Sequence, residues 1–262
     1  MEVLVCCKIE PDLERLTEGD WQVRDPGGID TSYVSLKFSP CDESALETAL
    51  GLADAGPVRL TALTLDGRRA DPFLRTLLAL RFEAVRIEPG EDLRFRPGRT
   101  AALITAYLRG IRPQDVLLFG RQSSEGGHGQ TPLLVAEMLH WPCVTEVVRI
   151  EALEAGRIRV CSRVEGGLRT QVLRPPCVLA VGDIAHSTLR VPTLSARMQH
   201  GKRPIQVFDG PALGAEPCQD AVLLGLTPVS HRRAGVRLDG RDPRAAARTL
   251  FFGYLQDRLG SR

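Results

Sequence analysis

The apolar run Asp115-Val-Leu-Leu-Phe119 leads into a glycine-rich segment, Gly120-Arg-Gln-Ser-Ser-Glu-Gly-Gly-His-Gly-Gln-Thr131, which opens onto the amphipathic stretch Pro132-Leu-Leu-Val-Ala-Glu-Met-Leu139. Strand, glycine-rich turn and helix in that order specify a βα unit. The glycines let backbone approach an anion closely, and the free N–H groups at the helix start, with the helix dipole behind them, face it. Similar turns also occur in α/β domains that bind nothing there, so the segment taken alone leaves phosphate binding and a plain turn both open.

The surrounding pattern sets the fold class. Strand-like runs alternate with helix-like runs through the first two thirds of the chain, which predicts βαβ units and a largely parallel sheet. Val3–Cys7 reads as a first, central strand. Residues 9–32 carry Pro11, Pro26, Gly27 and Gly28 without periodicity, and excursions of that length are often functional. Ser39 then caps a helix with Pro40 at its first position and Asp42 placed to complete a capping box. Val58–Leu65 reads as a strand, Asp71-Pro72 as the cap of a helix, Val85–Ile87 as a short strand and Thr100–Leu108 as a helix. Beyond His140, the stretches 144–150, 157–164 and 168–173 alternate polar and apolar residues, as antiparallel strands do when one face is wet. Cys177–Val181 returns to the core, residues 182–194 are irregular, and 195–200 and 242–259 read as helices. The expected division is an α/β domain over 1–230, including a loop at about 182–200, and a C-terminal arm over 231–262.

Composition excludes several classes. The 262 residues are 43% hydrophobic with a formal net charge of +2, enough apolar content for a large core. Interspersed Arg and acidic residues form no basic groove, which argues against nucleic acid. The start of the chain does not read as a secretory signal and no run reaches transmembrane length, so no membrane insertion is expected. Seven scattered cysteines, with no C-x-x-C pair and no zinc-type spacing, fit a reducing, cytoplasmic setting without a metal. Cys6, Cys161 and Cys177 sit in apolar runs as small buried side chains.

The order of motifs resembles the beta subunit of electron transfer flavoproteins, the family that includes the FixA proteins. Cys6-Cys-Lys8 with Pro11-Asp12 resembles its opening strand and turn, and Ser39-Pro-Cys-Asp-Glu-Ser-Ala-Leu-Glu47 its first helix start. Gly120-Arg-Gln122, Gln130 and His140-Trp-Pro-Cys-Val-Thr145 resemble its central block. Glu165-Gly-Gly167, Pro192-Thr-Leu194, Met198 and Gly201-Lys-Arg-Pro-Ile205 follow in the family's order. The resemblance implies a bacterial, cytoplasmic electron carrier rather than an enzyme, with a Rossmann-like fold of the adenine nucleotide alpha hydrolase type. The partners it implies are an alpha subunit that holds most of an FAD and a flavoprotein dehydrogenase as electron donor. This subunit would hold AMP, or a second FAD if it bifurcates electrons.

Carried over residue by residue, the nucleotide site comprises Cys6, Ser39, Pro40, Cys41, Asp42, Leu65, Gly120, Arg121, Gln122, Ser123, Ser124, Glu125, Gly126, Gly127, His128, Gly129, Gln130 and Thr131. The places lie at strand carboxyl ends, where open α/β sheets bind ligands. Arg190, Thr193, Leu194 and Met198 are the implied partner contacts, with Leu194 either an apolar anchor for a dehydrogenase or a core residue of the next helix. Ser39 replaces the family's Asn, Ser123–His128 replaces its acidic run, and Ser187-Thr-Leu-Arg190 keeps only the Arg of Asn-x-Pro-Arg. These departures describe a diverged paralogue. A dinucleotide dehydrogenase lacks support because no Gly-x-Gly-x-x-Gly follows the first strand. An AMP-binding sensor without a flavin partner stays open.

Overall fold

The computed structural model describes residues 1–24, 28–110, 113–182, 188–218, 220, 222–227 and 235–259. Contacts divide the chain into Met1–Leu226 and Thr227–Arg262. Pro26, Gly27, Ser187 and the expected junction at 230/231 lie outside the described residues.

The first unit is built on a nine-stranded sheet. Its strands are β1 (Glu2–Cys6), β2 (Arg59–Leu65), β3 (Glu83–Glu88), β4 (Val116–Gly120), β5 (Cys143–Ala152), β6 (Ile158–Val164), β7 (Gly167–Leu173), β8 (Cys177–Val181) and β9 (Gln206–Asp209), in the spatial order β7-β6-β5-β8-β4-β1-β2-β3-β9. Pairing is parallel from β9 through to β5. It is antiparallel only where β6 joins β5 and β7 joins β6. The stretches 144–150, 157–164 and 168–173, expected as antiparallel strands, are β5, β6 and β7 and pair so with one another; β5 lies at the seam, its other edge parallel to β8. The edge strand β9 was not read in the sequence.

Side chains alternate across the sheet. Val3, Val5, Val116 and Leu118 face one core with α1 (Pro40–Ala55) and α2 (Asp71–Ala79). Leu4, Cys6, Leu117 and Phe119 face the other with α3 (Pro97–Arg109) and α4 (Thr131–Leu139). The result is three layers, and the loops after β1, β2, β3 and β4 share one end of the sheet.

One local expectation changes. Asp71 is the first residue of α2 rather than its cap; its carboxylate accepts from Arg86, whose guanidinium is buried and also donates to Glu88 at 2.8 Å. Buried Arg needs such partners, and this long-range demand outweighs a cap. At α3 the cap comes from far along the chain, as Asp220 accepts from the N–H groups of Gly98 and Arg99 at 2.7 and 2.8 Å.

In the second unit, Asp242 caps a helix over Pro243–Leu250, accepting from Arg244 and Ala245. The expected continuous helix to Leu259 is interrupted by a π-helical turn at Phe251–Leu255 before Gln256–Leu259. Leu250, Phe251, Phe252, Tyr254, Leu255 and Leu259 are exposed.

Candidate nucleotide site

The site begins at the start of α1. Ser39 is its N-cap, with extended backbone and its Oγ accepting from the Asp42 N–H at 3.1 Å. The capping box does not form. The Asp42 carboxylate turns to the sheet, where Oδ2 accepts from Lys8 N–H at 2.9 Å and Oδ1 from Gly120 N–H at 3.1 Å. One buried carboxylate therefore joins the ends of β1 and β4 to the helix. Burial raises its pKa to about 7 against these hydrogen bonds, and the nearby Glu10 adds to the rise. Gly120 is required by this junction, since a Cβ there would lie 2.4 Å from Asp42 Oδ1 and 2.8 Å from Asp42 N.

The glycine-rich loop then passes over the sheet end. Gly126, Gly127 and Gly129 hold φ of +87°, +59° and +61°, and a Cβ on Gly129 would stand 2.9 Å from the Arg121 carbonyl oxygen. Its opening half is tied down from below: Ser124 N–H donates to both oxygens of Glu10 at 3.1 and 3.0 Å, and Glu125 N–H to one at 3.3 Å. His128 Nδ1 accepts from Gln130 N–H at 3.2 Å. Burial, and then the charge of Lys8, lower the His128 pKa, so its ring is neutral at pH 7.

Between this loop and the ends of β1, β2 and β3 lies a cavity of about 380 Å³, within the range of small-molecule sites. Of the expected site residues, Cys6, Asp42, Leu65, Gly120, Arg121, Gln122, Ser123, Glu125, His128, Gly129 and Thr131 line it. Ser39, Pro40, Cys41, Ser124, Gly126, Gly127 and Gln130 do not line it. The third side, missed in the sequence, is the loop from Pro89 through Phe95 to Pro97, together with Asp66, Gly67 and Arg69 after β2. Position alone could have found it, because these segments follow the carboxyl ends of neighbouring parallel strands.

The wall contains four Lys or Arg side chains, each held by a carboxylate. Lys8 pairs with Glu125 at 2.7 Å, Arg69 with Asp66 at 2.8 Å, Arg94 with Asp92 at 2.7 Å and Arg121 with Glu146 at 2.7 Å. Among the described residues, no group of three or more His, Cys, Asp and Glu could hold a metal ion, and no helix is long and apolar enough to cross a membrane.

The implied partner contacts gather elsewhere. Arg190 lies across α1, its guanidinium donating to Glu47 at 2.8 and 2.6 Å and to Asp54 at 2.8 Å, with its N–H on Glu47 at 3.0 Å. Glu43 accepts from the N–H of Leu189. Past this clamp, Thr193 caps α5 (Leu194–His200) through its Oγ1, which accepts from Ala196 N–H at 3.1 Å. Leu194 is the first residue of α5 and is 75% exposed, so the core-packing alternative is not met in this chain; Met198 is 69% exposed and Val191 80%.

A family model described as an electron transfer flavoprotein domain matches residues 27–213, most of the chain and nearly all of the sheet. The chain belongs to the electron transfer flavoprotein family. The chain is 36% identical over 263 residues, covering 99% of both chains, to YgcR of Escherichia coli (strain K12), provisionally named an electron transfer flavoprotein subunit. It is 28% identical to the acryloyl-CoA reductase electron transfer subunit gamma of Anaerotignum propionicum, over 92% of this chain and 94% of that one. To the human electron transfer flavoprotein subunit beta it is 27% identical, over 82% and 85% of the two chains. It is a diverged beta-type member, and its role is electron transfer, which disfavours the sensor reading.

Proposed function

We propose that this subunit pairs with an alpha subunit carrying the electron-transferring FAD, and that its own cavity holds an adenine nucleotide, either AMP or the adenine half of a second FAD. The observation that carries the reading is the cavity of about 380 Å³ at the carboxyl ends of β1, β2 and β4, roofed by the glycine-rich loop and the start of α4. The residues fit the group. At Gly129 the backbone adopts a conformation that leaves no room for a side chain, and the following helix start supplies N–H groups and a dipole suited to a phosphate. When bound, the flavin supplies the electron-accepting chemistry; this chain's residues position the nucleotide and present the docking surface. Seven free cysteines support a reducing, cytoplasmic setting.

The apolar side chains in the second unit support its role as an arm that packs on the alpha subunit. The test is the visible spectrum. The chain expressed alone is expected to be colourless, and the complex with its alpha subunit to show flavin absorption. Stoichiometric flavin in the isolated chain overturns this division of labour.

Val191, Leu194 and Met198 form the surface for the electron-donating dehydrogenase, and Arg190 holds that segment on α1. Leu194→Ala is expected to leave assembly and the flavin spectrum unchanged while weakening docking by about 1–3 kcal/mol, the range for a buried apolar anchor. Stopped-flow reduction at subsaturating dehydrogenase measures it. Unchanged rates contradict the docking role, and loss of assembly points to a structural one.

A further inference from the structure

Glu10 was not singled out by its sequence context, yet it is completely buried. Among the described residues its carboxylate has no paired cation; the partners it holds are the N–H groups of Ser124 and Glu125. A buried carboxylate without a counter-ion persists only where hydrogen-bond donors compensate it. Here those donors belong to the glycine-rich loop, the element whose N–H groups face the phosphate of a bound nucleotide in sites of this layout. Glu10 thus acts as an internal anion beneath the loop and draws two of its donors away from the cavity.

The charges of the wall agree. Lys8, Arg69, Arg94 and Arg121 are each paired with a carboxylate of the chain, and Asp42 and Glu91 also line the cavity. His128 is neutral at pH 7. The wall therefore offers no excess positive charge to a ligand that carries several negative ones.

We propose that Glu10 sets how many phosphates the site accepts: by withholding the Ser124 and Glu125 N–H groups and placing a fixed negative charge under the loop, it restricts the cavity to a nucleoside with a single phosphate. The phosphate is held by the Gly126–Gly129 end of the loop and the first turn of α4. A second phosphate, whether of a nucleoside diphosphate or of a dinucleotide, meets the Glu10 side of the loop. The proposal rests on the nucleotide reading above and adds a positioning residue that acts through the loop.

The experiment is calorimetric titration of the heterodimer, freed of bound nucleotide, with AMP and with ADP. The wild-type complex is expected to bind AMP at least roughly tenfold more tightly than ADP, the scale of a like-charge contact. Glu10→Gln removes the charge at nearly constant shape and is expected to tighten ADP, narrowing that preference to about threefold or less. Simple structural damage weakens both ligands and gains nothing for ADP. Wild-type protein that binds ADP as tightly as AMP overturns the proposal without any variant. So does a folded Glu10→Gln complex whose AMP preference is unchanged. Failure of the wild type to bind either nucleotide overturns the nucleotide reading itself, and the proposal with it.

Discussion

Gly129→Val empties the cavity of nucleotide while leaving the sheet folded: this is the expected result with the sharpest structural cause. The backbone at Gly129 has φ of +61°, and a Cβ there would sit 2.9 Å from the Arg121 carbonyl oxygen. A β-branched residue in that region costs about 1–2 kcal/mol in local strain, and the contacting atom is backbone and cannot rotate aside. The loop must shift, and the donors aimed at the phosphate shift with it. Nucleotide occupancy in the purified heterodimer is expected to fall at least roughly tenfold, the equivalent of about 1.4 kcal/mol. His128→Ala is expected to do less, because its ring is neutral and its Nδ1 is engaged by Gln130 N–H. Wild-type occupancy in Gly129→Val shows that the loop is only a turn.

Stability falls as pH rises through the range in which Asp42 titrates. Its pKa is raised from 3.8 to about 7 in the folded chain, chiefly by burial. Between those values the folded state holds a proton that the unfolded state has released, so raising the pH favours unfolding. The slope is about 1.4 kcal/mol per pH unit, or on the order of 4 kcal/mol across the interval, and it flattens above pH 7. Asp42→Asn cannot ionise and is expected to lose this slope, although it is less stable at pH 5 because one of the Lys8 and Gly120 N–H groups loses its acceptor. Urea unfolding from pH 4 to pH 8 at fixed ionic strength measures it. Parallel curves for wild type and variant contradict the assignment.

These two residues show what can be read along a chain and what cannot. The strand, glycine-rich turn and helix around Gly129 are contiguous, and their local chemistry identified the loop and its place at a strand end. Asp42 lies three residues after a good N-cap, so local rules assigned it to a capping box. Its carboxylate instead serves Lys8 and Gly120, separated from it by 34 and 78 residues, and such demands leave no trace in spacing. Glu10 was passed over for the same reason, since its partners stand 114 and 115 residues away and its own segment has no periodicity. The Pro89–Pro97 wall was legible in principle, because it follows a parallel strand, but its polar composition reads as an ordinary surface loop. The parallel core was anticipated because its strands are short, apolar on both faces and separated by helices with apolar stripes.

The most direct measurement is the identity and stoichiometry of nucleotides released when the purified heterodimer is denatured, by mass spectrometry. An adenine nucleotide is expected in addition to the flavin of the alpha subunit, with AMP favoured by the charge distribution around Glu10, and its loss is expected from the Gly129→Val complex while that flavin stays bound. Release of a single FAD and no second adenine nucleotide from the wild-type complex contradicts it.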